Sequence, residues 1–75
     1  MRADVIKAGQ VYEYKGTYYP VIEHTVVIVR VMDIGGFTYV FHLDTSSYGD
    51  PPRARAPQAT ELTRFATEYK DWFLT

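Results

Sequence analysis

Residues 37–44, FTYVFHLD, alternate in character. Phe37, Tyr39, Phe41 and Leu43 fall on one side of an extended chain, and Thr38, Val40, His42 and Asp44 on the other. Strand side chains point to opposite faces with a period of two, so this stretch predicts a strand. Its aromatic side is expected in the core and its His42/Asp44 side in solvent. Residues 25–33, TVVIVRVMD, are rich in β-branched side chains and predict a second strand. Both of its faces are apolar over residues 26–29, which places it mid-sheet with cover on both sides. Arg30 interrupts the apolar run as a guard against edge-to-edge pairing. Gly35-Gly36 between these strands is a strong hairpin signal. GQVYEYKGTYYPVIEH, residues 9–24, predicts strands over 10–14 and 18–24 joined at Lys15-Gly16-Thr17, with Gly16 at positive φ and Pro20 marking an edge or bulge. Residues 4–7 are expected to add a short first strand.

The period changes beyond Pro57. Leu62, Phe65, Ala66, Tyr69, Trp72 and Phe73 recur at three- and four-residue spacing, which predicts one apolar face of a helix over residues 58–73. Pro57 suits its first turn, Glu61 its N-terminal half and Lys70 its end. Residues 45–57, TSSYGDPPRARAP, read as a loop of turn formers and prolines. The expected architecture is therefore α+β in a single domain, residues 1–75. A small antiparallel, strongly bent or barrel-like sheet of about four to five strands occupies residues 4–44, and one C-terminal helix packs on it.

The pattern GxxYxYKGxYYxVI from Gly9 to Ile22, followed by a long apolar strand and a glycine hairpin, resembles the opening of SH3-like small barrels, including KOW-type modules. The resemblance spans residues 9–44. It implies binding through loops and exposed aromatics at one barrel rim, and points to Tyr14, Tyr18 and Tyr48.

Composition narrows the function classes. With 75 residues there is room for one small core, and with no cysteine there is no disulfide or thiolate metal site. Seven Tyr, four Phe and one Trp supply the packing mass, more than one thin core hides, so some tyrosines are expected at the surface. Eight basic against nine acidic residues remove the electrostatic footprint of a general nucleic-acid binder. No stretch reaches transmembrane length and no leader-like apolar segment opens the chain, so a cytoplasmic protein without membrane contact is expected.

Candidate chemistry is sparse. His24, His42 and Asp44 are zinc or iron ligand types, yet ligand spacing alone has low specificity and no metal or cofactor is expected. Ser46 or Ser47 with His42 and Asp44 has the residue types of a nucleophilic triad but lies too close in sequence to converge on one reacting atom. Gly35-Gly36 lacks the helix start and lysine of a phosphate cradle. No catalytic residues are assigned and no enzyme is expected. Arg53 and Arg55, spaced alternately on a proline-stiffened segment, are the best contacts for an anionic surface; with Tyr48, Tyr14 and Tyr18 they form the expected partner-binding set. The functional expectation is a non-enzymatic protein-binding module that docks on a larger protein and blocks or modulates it. Size and composition resemble accessory proteins of bacteriophages and mobile elements, whose targets include RNA polymerase and defence nucleases. Nucleic-acid binding at a barrel rim is the alternative, and a His/Asp metal protein a remote one.

Overall fold

A computed structural model describes residues 1–16, 22–47, 53–54 and 56–75. A 3-10 turn at Ala3–Val5 stands where a first strand was expected. The strands are β1 (Val11–Lys15), β2 (Glu23–Ile34), β3 (Phe37–Ser46), β4 (Arg53–Ala54), β5 (Gln58–Glu61) and β6 (Phe73–Leu74), with helix α1 (Leu62–Glu68) between β5 and β6. They form one antiparallel sheet in the order β4-β3-β2-β1-β6, with β5 also paired to β3. The sheet is not closed into a barrel, so the α+β expectation holds in its coarse form only.

The β2–β3 hairpin is the backbone of the molecule. Gly35 and Gly36 both adopt positive φ, 60° and 87°, and carry the two-residue turn between Ile34 and Phe37 as expected. Gly16, by contrast, is not at positive φ; its N–H donates to the Ile22 carbonyl at 3.0 Å across the β1–β2 connection. His24 does not end a separate strand. It lies inside the long β2, and the rest of the strand expected over 18–24, residues 18–21, lies outside the described residues.

The face that becomes the core is the reverse of the expected one. Val40 and His42 are fully buried, while Phe37 and Leu43 are exposed and Tyr39 and Phe41 only partly covered. Pairing explains the choice, because residues directly opposite across a ladder share a face. Val26 opposes Asp44 and Ile28 opposes His42, so the inward side of β2 carries β3's histidine inward with it. Strand β1 adds Tyr12 to that side, opposite Val26, and puts Glu13 and Lys15 on the other. The aromatic side of β3 is thus aligned with the charged side of β1.

A bulge completes the arrangement. Ile28 opposes His42 but Arg30 opposes Phe41, so Val29 is the extra residue. Strict alternation from Val26 and Ile28 would have turned Arg30 inward; the bulge turns it outward and brings Val31 opposite Val40. Strand β2 is therefore central, as expected, but covered on one side only.

The helix is much shorter than residues 58–73. Residues 58–61 form β5 beside β3, and Phe73–Leu74 pairs with β1, so Pro57 precedes a strand instead of opening a helix. Glu61 ends β5 and caps the helix: its carboxylate accepts the Arg64 N–H at 3.1 Å. Hydrogen bonds from the Arg64 and Thr63 backbones hold this carboxyl below the usual glutamate range. The apolar stripe itself is real. Phe65, Ala66 and Tyr69 join Ile6, Tyr12, Val26, Ile28 and Val40 in the core, with Leu62 and Trp72 packed at its margin; Phe73 is exposed. Residues 45–57 are also not a plain loop, since Thr45 and Ser46 belong to β3 and oppose Ala54 and Arg53.

This inversion is testable by substitution. Phe65→Ala should cost about 3–5 kcal/mol in urea unfolding, as expected for a large ring removed from a closed core. Phe37→Ser should cost less than about 1 kcal/mol, the scale of a cross-strand pair on an open face. Equal losses at both positions would contradict the assignment of faces.

Candidate functional site

Three features stand out. The first is a polar network inside the core. His42, whose side chain is fully buried, gives its Nδ1–H to Asp44 Oδ1 at 2.5 Å, and its Nε2 shares a hydrogen bond with the Thr60 hydroxyl at 2.9 Å. The Tyr69 hydroxyl donates to Asp44 Oδ2, so this carboxylate links the sheet to the helix end. Phe65 and Tyr69 meet the imidazole edge-on, at 5.0 and 5.7 Å between centroids, and stack on each other at 4.3 Å. His42 is thus not the solvent-facing residue expected from alternation.

Thr60, His42 and Asp44 have the residue types of a hydroxyl–imidazole–carboxylate relay. The geometry is that of a structural tie. Both ring nitrogens are engaged, and the imidazole side chain has no exposed surface through which a substrate could reach it. The same engagement leaves His42 no lone pair for a metal, and no cluster of three metal-ligating side chains occurs among the described residues.

The second feature is a cavity of about 330 Å³ at the end of the sheet that carries His24 and Ser46. Its walls include His24, Asp44, Ser46, Glu68, Tyr69 and Trp72. Trp72 lies 4.7 Å from Tyr69, 6.2 Å from His24 and 5.8 Å from Tyr14, so three rings cluster around one indole. Glu68 pairs with Arg64 at 2.8 Å along the exposed side of the helix.

The third is the uncovered sheet face. Val29, Ile34, Phe37 and Leu43 are 55, 48, 61 and 37% exposed, and Val27, Met32, Tyr39 and Phe41 fill the space between them. Arg30, opposite Phe41, rises among them with no ion pair among the described residues.

Of the expected partner-binding residues, Tyr14 lies in the ring cluster, half-buried, opposite His24. Arg53 sits in β4 opposite Ser46. Tyr18, Tyr48 and Arg55 lie outside the described residues. Sequence reasoning missed Tyr69, Thr60 and Gln10 as polar anchors. A tyrosine on an apolar helix stripe does carry a signal, because its hydroxyl needs a partner once buried. Gln10 carries none: it accepts the Tyr12 hydroxyl at 2.9 Å and the Lys7 N–H at 2.7 Å and donates to the Val5 carbonyl at 2.8 Å, pinning the N-terminal turn to β1. Burial pushes the Tyr12 phenol above its ordinary pKa.

If the Asp44 carboxylate ties helix to sheet, Tyr69→Phe should lower unfolding free energy by about 1–3 kcal/mol, since it deletes a donor to a mostly buried charge. Urea denaturation checks this, and a loss near zero would mean that stacking alone holds the helix. Comparison with known protein families, with curated proteins and with solved structures finds no match to this chain.

Proposed function

We propose that the chain is a non-enzymatic protein-binding module whose docking surface is the uncovered face of the sheet. The observation that carries this reading is the contiguous exposure of Val29, Ile34, Phe37 and Leu43 around partly covered aromatics on that face. Scattered apolar residues at a surface need no explanation, but a continuous patch on one side of a sheet supports an interaction role. The occupant is a partner protein with an apolar surface and a carboxylate opposite Arg30, because a desolvated guanidinium without an opposing charge is costly. Charge also weighs against nucleic acid: ladder alternation places Lys15 and Arg30 on this face, but Glu13 and Glu23 with them. A chain of this size acts by occupying a larger protein's surface, as an accessory or inhibitory protein of phage or mobile-element type would.

The test starts from a partner captured from the producing cells and then purified. Phe37→Ser with Leu43→Ser should weaken its binding at least tenfold, about 1.4 kcal/mol, with the melting temperature almost unchanged. Arg53→Ser with Arg55→Ser should matter less. Loss confined to the arginine pair would move the site to residues 53–55. Capture of nucleic acid with steep salt dependence would replace the proposal by the nucleic-acid reading. A concentration-dependent dimer in sedimentation velocity, abolished by the Phe37/Leu43 pair, would make the occupant a second copy.

A further inference from the structure

Strand β2 has a neighbour on both sides over only part of its length. It meets β1 from Glu23, opposite Lys15, to Val27, opposite Val11, and Ile28 then exchanges hydrogen bonds with Gly9 and Gln10 at 2.8 and 2.9 Å. The chain before Gly9 leaves this edge, because the 3-10 turn packs on α1 and not on β2. Residues 31–34 run on to the Gly35-Gly36 turn with β3 on one side and an open edge on the other. Hydrogen-bond alternation decides what that edge presents. Ile34 and Phe37 close a two-residue turn and so form a hydrogen-bonded pair, as do Met32 and Tyr39 two positions on. Val31 and Asp33 therefore turn their N–H and C=O groups away from β3, toward the side on which Ile28 meets Gly9 and Gln10. Among the described residues nothing bonds them there.

An edge with open backbone groups is a template for another strand. The spacing of these groups fits a second copy of the chain. They sit at positions 31 and 33, symmetric about Met32. A two-fold axis between two Met32 residues, normal to the sheet, sets Val31 opposite the other copy's Asp33 and the reverse, and each open group meets its complement. Neighbouring registers do worse. An axis at Asp33 would put two carboxylates directly opposite, and an axis at Val31 would bring the two Arg30 guanidinium groups together on a diagonal. Arg30, expected as a guard against edge pairing, thus leaves the edge open and selects its register. Its side chain stands on the uncovered face, where the other copy's Ile34 would oppose it. The Asp33 carboxylate is also clear of the edge, turned across the hairpin to accept the Thr38 hydroxyl. We infer that residues 31–33 of β2 are a homodimer interface, at which two copies join into one antiparallel sheet with Met32 against Met32. The axis leaves both uncovered faces pointing the same way, so the dimer doubles that surface. The inference does not depend on what docks there.

The chain has no cysteine, so a single introduced one reports the register. Opposed Cα atoms of a non-hydrogen-bonded antiparallel pair lie about 4.5 Å apart, within disulfide range, whereas the two residues 30 in this register are about 13 Å apart along the strand. Met32→Cys and Arg30→Cys proteins are oxidised in a glutathione buffer and resolved without reductant. Met32→Cys should cross-link at least about tenfold faster. Sedimentation velocity on the unmodified chain should show a concentration-dependent dimer. Met32→Lys should abolish it with the melting curve in place, and the Phe37→Ser/Leu43→Ser pair should retain it. The Val31 and Asp33 amides should exchange with solvent more slowly as protein concentration rises. A monomer at every concentration up to about 1 mM would overturn the inference. So would equal or faster cross-linking at residue 30, or a dimer that survives Met32→Lys. Loss of the dimer in the Phe37/Leu43 pair would move the contact to the uncovered face and overturn it as well. Protection of the two amides only when a purified partner protein is added would give the edge to a strand of that partner, against a second copy.

Discussion

A helix of seven residues is about 10 Å long, and it is the main cover available to a six-stranded sheet. It can bury one face only. That limit organises the rest of the molecule: one side of the sheet must carry a packable surface continuous across β1, β2 and β3, and the other side is left to solvent. The side chosen is the one on which Tyr12, Val26, Ile28 and Val40 meet through the ladder, and the bulge at Val29 is what keeps Arg30 out of it. The β2–β3 hairpin runs on past the cover, which gives the molecule its long dimension of 42 Å against 22 and 18 Å.

Choosing that face brings a histidine and an aspartate under the helix, and the cost of burying them is met locally. Each polar atom inside has a partner: the imidazole bridges Asp44 and Thr60, and the tyrosine of the helix closes the network on the carboxylate, with no buried side-chain polar atom orphaned among the described residues. The network also positions the site. Asp44, held by His42 and Tyr69, also forms part of the cavity wall, so a residue that stabilises the helix helps shape the opening.

Much of the hairpin architecture was legible in the residues. Gly35-Gly36 is needed for a two-residue turn, and the β-branched run of β2 has few other uses. The helical stripe from Leu62 to Trp72 was legible as a face but not as a length. Residues 58–61, QATE, have no strand character of their own and become β5 because the edge of β3 offers them hydrogen bonds, a tertiary effect that local propensity does not carry. The inside of the sheet was misread for a related reason. Alternation divides Phe37, Tyr39, Phe41 and Leu43 from Val40, His42 and Asp44, but it does not say which set faces the cover. Ring size suggested one answer; the register with Val26 and Ile28 imposes the other. The site was half legible: His24, Tyr14 and Trp72 each drew notice, but only the fold sets His24 and Trp72 at one cavity with Glu68 and packs Tyr14 against the indole.

The account depends most on His42 facing the helix. Proton NMR on the intact protein tests this directly through the imidazole. The fold places its ring protons within nuclear Overhauser range of the Phe65 and Tyr69 rings, and predicts a slowly exchanging, downfield Nδ1–H held by Asp44. A His42 side-chain N–H in fast exchange with water, with Overhauser contacts from Phe65 to Phe41 and Tyr39 instead, would show that the aromatic face is the core and would contradict the account.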